Sequence, residues 1–183
     1  MTRLTALNPE EVTGKTKDLF NAVQAKLGVV PNMMRTMGNS PAVLEGYLNL
    51  SGALSHGKLS AKTGELIALA VSESNSCDYC LAAHTFIGEK LVKADPEVLK
   101  AARSGNSTDA KTEAILQLAK TLISKNGLVN DEDVNKAKNA GVADAEIAET
   151  IAHVALNVLT NYFNNVANTE IDFPAVSNLE LHN

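Results

Sequence analysis

The apolar residues of this chain recur at helical spacing almost from end to end, and no stretch shows the two-residue alternation of a half-buried strand. Helix punctuation recurs with them. Asn8-Pro9-Glu10-Glu11 reads as a cap, a first-turn proline and a capping-box partner, with Val12, Leu19, Phe20, Val23 and Leu27 following until Gly28. Ser40-Pro41 opens a helix through Leu44, Tyr47, Leu48 and Leu54 to Gly57, and Asp95-Pro96 starts a short one that ends near Gly105. Thr108 to Lys125 carries Ile115, Leu118, Ala119 and Leu122 before Asn126-Gly127, and Asn130 to Asn139 is a short polar helix ended by Gly141. The weakest stretch is Val29 to Gly38, where Met33, Met34 and Met37 read as adaptable core filler rather than a mobile pocket wall. With short connections throughout, the expectation is an all-α fold of eight or nine helices in a single domain, residues 1–183.

The chain has only two cysteines, and they form the pair Cys77-Asp78-Tyr79-Cys80, with His84 one turn later. Two cysteines placed independently would take this spacing on the order of once in a hundred chains. Three readings compete: a reversible disulfide, two ligands of a metal, or two small buried apolar residues. The preceding segment, Leu59 to Val71, reads as an apolar helix with Ser60 as N-cap and Leu66, Ile67, Leu69 and Ala70 for burial. It should end near Ser74 to Ser76, and a second helix should start at Cys77 and run through Leu81, Ala82, Ala83, His84 and Ile87 toward Leu91. At about 100° per residue, Cys77, Cys80 and His84 then fall within about 60° of one helix face. A thiolate in a helix's first turn is favoured by unpaired N–H groups and the positive end of the dipole, and a nearby proton acceptor eases its formation. Cys80, one turn from His84, is the better nucleophile, and Cys77 the resolving thiol.

Plainer readings stand beside these. Glu65 taken alone is a solvated helix residue, and His84 alone a satisfied surface histidine. Tyr79 reads as a packing or interface residue, and Ser72, Glu73 and Asp78 as solvated or capping positions. Zinc held by Cys77, Cys80, His84 and Glu65 lacks the second ligand pair that structural sites use, and His56, His153 and His182 are isolated in the sequence. No metal and no bound cofactor are therefore expected.

The string Glu65-x11-Cys77-x2-Cys80-x3-His84, set within Glu-Leu-Ile-Ala-Leu-Ala-Val-Ser-x4-Cys-x-Tyr-Cys-x3-His, resembles the active-site signature of the alkylhydroperoxidase D-like (AhpD-like) branch of the carboxymuconolactone decarboxylase superfamily, which includes peroxidase-related proteins. The characteristic core covers about residues 44–93. The resemblance implies an AhpD-like all-α fold, a homotrimer or hexamer, and thiol-dependent reduction of alkyl hydroperoxides. It also implies roles: Cys80 as peroxidatic thiol passing through a sulfenic acid, Cys77 as proton donor that then closes a Cys77–Cys80 disulfide, and Glu65 with His84 as a proton relay. The electron donor would be a dithiol or lipoyl-type compound. The best-known peroxidase members carry a second histidine where this chain has Tyr79, and a phenol with a pKa of about 10 is a poor proton acceptor at neutral pH. The decarboxylase branch lacks the cysteine pair, so both thiols argue against a lyase. The alternatives are a thiol–disulfide oxidoreductase or redox sensor and, in another class, a non-catalytic oligomer that binds a ligand or metal.

A net charge of -5 with no basic run disfavours nucleic acid and anionic membrane as partners. No apolar run approaches the about 18 residues of a membrane span, and Met1 to Pro9 lacks the apolar core of a secretory signal, so a cytoplasmic location is expected. There the thiols would stay reduced between turnovers. Setting Glu65–His84 over Glu149–Asn168 pairs Glu65 with Glu149 and puts Asn161, Asn164 and Asn168 at the positions of Cys77, Cys80 and His84. A degenerate internal repeat would explain this, and would require the two segments to superpose. Alternatively, Ile151, Val154, Val158 and Tyr162 form a core stripe while the asparagines cap and cross-link neighbouring helices.

Overall fold

The computed structural model describes residues 1–176 and 179, and among them the fold is entirely α-helical, with nine helices. They are α1 (Gly14–Leu27), α2 (Asn32–Met37), α3 (Pro41–Leu54), α4 (Ala61–Ser74), α5 (Asp78–Lys90), α6 (Pro96–Arg103), α7 (Ala110–Ser124), α8 (Asp131–Asn139) and α9 (Asp144–Ala167). The expected caps recur in place. Ser60, Asp95 and Asn130 accept backbone N–H bonds at the starts of α4, α6 and α8, where Asn130 forms a capping box with Asp133, while α7 is capped by Asp109, one residue after the expected Thr108. His182 lies outside the described residues.

The first helix starts later than its sequence pattern suggests. Asn8 Oδ1 accepts the Glu10 N–H and Asn8 O accepts the Glu11 N–H, so Asn8 to Glu11 forms a turn, and the helix begins only at Gly14, whose φ is +60°. Asparagine before proline offers both a cap and a turn, and here the turn prevails.

α4 is the central element. Leu66 through Ser72 are all buried, so this helix is apolar around its whole circumference and is wrapped by α5, α6, α7 and α9. One core unites α4 with Leu99 and Ala102 of α6, Ile115 to Leu122 of α7, Ala137 of α8 and Val154 of α9. A second core joins Phe20 and Val23 of α1, the three methionines of α2, Leu44 of α3, and Cys77, Tyr79, Cys80 and Ala83. The cysteines thus belong to the second core while α4, beside them, belongs to the first.

α9 departs from the repeat and from the simple stripe. Glu65–His84 is two helices with a break between them, whereas Glu149–Ala167 is uninterrupted, so the two segments do not share a backbone that could superpose along their length. Ile151 and Tyr162, expected in a core stripe, are 49% and 59% exposed, and the buried face instead carries Val154, Leu156, Asn157, Thr160, Asn161 and Asn164. Glu149 serves the architecture: both its oxygens accept the Lys58 N–H, at 2.8 and 2.7 Å, and Oε2 also accepts the Leu59 N–H at 2.8 Å. This ties the α3–α4 loop to α9.

Leu116, fully buried between α7 and the central helix, makes the core assignment testable. Leu116→Ala should lower unfolding free energy by about 2–5 kcal/mol in urea titration, with an unchanged denaturant slope. A loss below about 1 kcal/mol would mean that α7 is not part of the main core.

Candidate functional site

The site is built at the corner between α4 and α5. Asn75 ends α4, Ser76 takes a left-handed conformation with φ of +50°, and the N–H groups of Ser76 and Cys77 return to the carbonyls of Glu73 and Ser72. This is a Schellman closure, with serine at the position usually given to glycine. Cys77 then serves at once as the residue after that closure and as the N-cap of α5, in extended conformation. Its side chain makes no capping bond, which leaves the sulfur for other partners. Cys80 follows in the first turn, and both thiols are reduced and buried.

α9 braces this corner with amides. Asn161 Nδ2 donates to Ser72 Oγ at 3.2 Å, and Asn75 Nδ2 donates to Asn161 Oδ1 at 2.9 Å. Asn165 Nδ2 donates to the Asn75 carbonyl at 3.0 Å, and Asn164 Nδ2 donates to Cys80 Sγ at 3.2 Å. The cross-linking role expected of these asparagines is thus present, although Asn168 caps α9 and donates to Met1 O instead. Ser72 is fully buried rather than solvated, and Glu73 pairs with the buried Arg103 at 2.6 Å. Asp78 is exposed, as expected.

Glu65 of α4 and His84 of α5 meet across the helix pair, Nδ1 to Oε2, at 2.8 Å. A carboxylate accepts, so Nδ1 carries the proton and Nε2 is the nitrogen left for proton exchange. Burial pulls the His84 pKa down, but the Glu65 charge and hydrogen bond, with Cys80 adding to them, outweigh it and hold the ring above its ordinary value. The two thiols are pushed apart. The Cys77 thiol donates to the Cys80 sulfur, and this bond, aided by His84, Asn164 and Asn161, outweighs desolvation and brings the Cys80 pKa down. The same bond, with burial, drives Cys77 up. The pair therefore shares its first deprotonation, with the charge on Cys80.

A cavity of about 380 Å³ opens onto Cys80 but not onto Cys77. Glu65 and His84 border it beside the sulfur. Its remaining wall is largely apolar, including Met33 and Met34 of α2, Phe86 and Ile87 of α5, and Leu156 of α9. The methionines are thus core filler and pocket wall together. Tyr47 of α3 also borders it, its pKa raised to about 12 by burial and by the neighbouring Cys80 and Glu65. Tyr79 is committed to packing: its hydroxyl accepts the Met33 N–H at 3.1 Å, and its ring meets Phe173 edge-on with centroids 5.7 Å apart.

The four residues singled out in the sequence, Glu65, Cys77, Cys80 and His84, come together here. His153 joins them. It lies against α4 where Gly64 has no side chain, a position at which a β-carbon would stand 3.1 Å from the ring, and it borders the same cavity. It is therefore not isolated in space, and burial lowers its pKa against the opposing charges of Glu149 and Glu65. Sequence reasoning does not find Asn161, Asn164, Tyr47 and His153 as site residues. The usable signal is Asn157, Asn161 and Asn164 at helical spacing on a face otherwise fit for burial. Among the described residues, no group of three or more His, Cys, Asp or Glu side chains is placed to hold a metal ion, and no helix is long and apolar enough to cross a membrane.

Known proteins share this architecture. Residues 41–122, α3 through most of α7, match the model of the carboxymuconolactone decarboxylase family, and the expected core at 44–93 falls inside the match. The whole fold is that of the AhpD core. An uncharacterized peroxidase-related protein from Ralstonia eutropha JMP134, described as an alkylhydroperoxidase AhpD core, is similar with a TM-score of 0.83 at 23% identity, over 93% of this chain and 92% of that one. An uncharacterized peroxidase-related protein from Silicibacter sp. TM1040 is similar with a TM-score of 0.81 at 23% identity, over 92% and 91%. The debrominase Bmp8, solved as a cysteine-to-alanine variant in complex with 2,3,4-tribromopyrrole, is similar with a TM-score of 0.78 at 19% identity, over 94% and 92%. The comparison with curated proteins gives no match.

The electrostatic asymmetry predicts a reactivity order. With the reduced protein, iodoacetamide should modify Cys80 first, with a pH midpoint below the about 8.5 of a free thiol, and Cys77 should lag. Because the Cys80 pKa is depressed, its thiolate is lost only as pH falls through that lower value. Peptide mapping across a range of about pH 5 to 10 reads both quantities, and a Cys80 midpoint at or above that of a free thiol would contradict the arrangement.

Proposed function

We propose that this protein is a cysteine-dependent peroxidase that reduces alkyl hydroperoxides through a Cys77–Cys80 disulfide and contributes to antioxidant defence. The observation that carries the reading is that Cys80, the thiol held as thiolate, is the one that faces the apolar cavity, with the Glu65–His84 pair bordering the same space. In the cycle, Cys80 thiolate attacks the terminal oxygen of R–O–OH. The O–O bond breaks, Cys80 becomes a sulfenic acid, and the departing alkoxide takes a proton from His84 to leave as alcohol. Glu65 holds the imidazole in the tautomer that presents Nε2. Cys77 then attacks the Cys80 sulfur, water leaves, and the disulfide forms. A dithiol or lipoyl-type donor returns two electrons and two protons, and no metal or bound cofactor enters the cycle.

The apolar wall suits an organic R group over hydrogen peroxide. A homotrimer or hexamer belongs to the same reading, and the exposed Ile151, Leu159, Tyr162 and Val166 of α9 offer an apolar face for assembly. A cytoplasmic setting would supply reductant, and neither nucleic acid nor membrane is a partner in this proposal.

A second reading has its own observation. Four aromatic rings, Tyr47, Tyr79, Phe86 and Phe173, border the cavity, and the fold is shared with a debrominase. On this reading Cys80 thiolate takes a bromine from a bromopyrrole, the ring carbon takes a proton, and Cys77 displaces bromide to close the same disulfide. Bromide release from tribromopyrrole, with cumene hydroperoxide left unreduced, would favour it.

The deciding experiment adds one equivalent of cumene hydroperoxide to the reduced protein and measures intact mass. Wild type should lose about 2 Da as the disulfide forms, Cys77→Ser should accumulate a dimedone-reactive sulfenic acid, and Cys80→Ser should do neither. Unreacted thiols in wild type would defeat the peroxidase and leave the debrominase or a ligand-binding oligomer; oxidation without multiple turnovers on a dithiol donor would point to a sensor.

The pH profile follows from the two shifts. Turnover should rise as Cys80 ionises, below the range of a free thiol, and fall as His84 loses the proton that the alkoxide needs, above the imidazole's ordinary value. Glu65→Gln, which removes the charge holding His84 up, should move the alkaline limb to lower pH and reduce the rate about 10–100-fold. An unmoved alkaline limb in that variant would remove Glu65 from the relay.

A further inference from the structure

Asn164 is an anomaly in the core. Its side chain lies on the buried face of α9, with the residue only 3% exposed, and while Nδ2 donates to Cys80 Sγ at 3.2 Å, Oδ1 is buried with no hydrogen-bond partner. An unpaired buried carbonyl is destabilising, and a leucine of similar size would fill the place without that penalty. The neighbouring Asn161 differs, since both ends of its amide are engaged, by Ser72 and by Asn75. Asn161 is therefore explained by the architecture of the corner, whereas Asn164 is explained only by the sulfur.

The donor end fits the reduced enzyme. Charge on Cys80 is met by the Cys77 thiol and His84 on its own helix segment, and from across the core by Asn164 and, more weakly, Asn161, whose amide is already engaged at both ends, while the nearby Glu65 and the phenols Tyr47 and Tyr79 supply no compensating positive charge. A hydrogen bond to an ionised acceptor is stronger than one to a neutral acceptor, so Nδ2 discriminates thiolate from thiol. The acceptor end fits a different state of the same atom. Oxygen transfer converts Cys80 from a pure acceptor into an S–O–H donor, and Oδ1, in the same planar carboxamide as Nδ2, is the unpaired acceptor beside it. The amide can then bridge sulfur and hydroxyl in one ring of hydrogen bonds.

We infer that Asn164 is a further catalytic residue, whose Nδ2 stabilises the Cys80 thiolate and whose Oδ1 accepts the proton of the Cys80 sulfenic acid in a hydrogen bond. The second role rests on the peroxidase reading, whereas the first does not. In the sulfenic acid state the bridge holds the hydroxyl until it leaves as water, when Cys77 contributes its sulfur to the new bond and its proton to that water. This disulfide-forming step needs no group beyond the sulfenic acid and the Cys77 thiol. The bridge also limits access of a second hydroperoxide to the sulfenic acid, so its loss promotes over-oxidation to sulfinic acid.

Two variants of the full-length protein test this. Asn164→Leu removes both ends of the amide, and Asn164→Asp keeps its shape but replaces the donor with a carboxylate. In the reduced proteins, the iodoacetamide midpoint of Cys80 should rise by about one to two pH units in Asn164→Leu and further in Asn164→Asp. Asn164→Leu should melt at or above the wild-type temperature, which separates this role from a structural one. In a Cys77→Ser background treated with one equivalent of cumene hydroperoxide, the leucine variant should show a several-fold shorter sulfenic acid lifetime by timed dimedone trapping, with sulfinic acid in its place. A midpoint unchanged in both variants overturns the thiolate role, and an unchanged sulfenic acid lifetime overturns the acceptor role. If the parent Cys77→Ser protein forms no sulfenic acid, the peroxidase reading and the acceptor role fail together, while the titration still decides the thiolate role. Should Asn164→Leu fail to fold, the midpoint of Asn164→Asp decides the thiolate role, and the sulfenic acid lifetime in Asn164→Ala, which also lacks the acceptor, decides the acceptor role by the same criterion.

Discussion

The reversal at Asn75-Ser76-Cys77 is the constraint on which the site depends. A continuous helix from Ala61 to Lys90 would put Cys77 within a regular turn and carry Glu65 and His84 about 28 Å apart along one axis. The left-handed Ser76 folds α5 back beside α4 instead, so that a carboxylate from one helix and an imidazole from the other meet at 2.8 Å. A serine with positive φ costs conformational energy that glycine would not. Hydrogen bonds on both sides offset it: the Schellman pair closing α4, and the Asn161 and Asn165 amides that grip Asn75 from α9. The corner is thus over-determined.

That geometry also explains why two chemically identical thiols differ. Both are almost completely buried, and burial by itself raises a thiol's pKa. Only Cys80 collects donors: the Cys77 thiol, the Asn164 and Asn161 amides and the positive potential of His84. Cys77 spends its proton on Cys80 and does not line the cavity that reaches Cys80, so in the proposed cycle it is held neutral and close by until an oxidised partner makes attack favourable. A single deprotonation is therefore assigned to one sulfur by asymmetry in the surroundings, with no difference in covalent chemistry.

Much of this is legible in the sequence because the deciding signals are local. Ser60, Asp95 and Asn130 act within a turn of themselves, and the spacing from Cys77 to His84 lies within one helix and its cap. The Glu65 to His84 contact comes from the family resemblance, since periodicity gives no angle between two helices. What stays hidden depends on partners distant in sequence. Ser72 reads as a solvated polar residue until Asn161, 89 positions later, is seen to satisfy it. His153 looks isolated until Gly64 lets α9 approach α4. The offset that pairs Cys77 and Cys80 with Asn161 and Asn164 is real as a pattern, but the two segments differ in backbone and face one another, so the asparagines are partners of the cysteine corner rather than copies of it.

Tyr79 shows how the site can change its proton handling without losing its shape. Where the best-known peroxidases of the resembling branch carry a second histidine, the tyrosine hydroxyl is occupied by the Met33 N–H and its ring is wedged against Phe173. Burial raises its pKa further, so it is no proton acceptor at neutral pH. Its contribution is to fasten α5 to α2, and thereby to hold the methionine wall against Cys80. Proton traffic in the proposed cycle then falls on His84, because the other imidazole at the cavity, His153, is shifted toward its neutral form by burial. Two histidines with opposite pKa shifts near Glu65 are not interchangeable: in the proposed cycle one gives its proton to the leaving oxygen, and the other is left as a neutral polar contact in an otherwise apolar wall. On the proposed reading the chemistry is thereby concentrated at the sulfur end of the cavity, and the rest of its surface is free to select the organic group by shape.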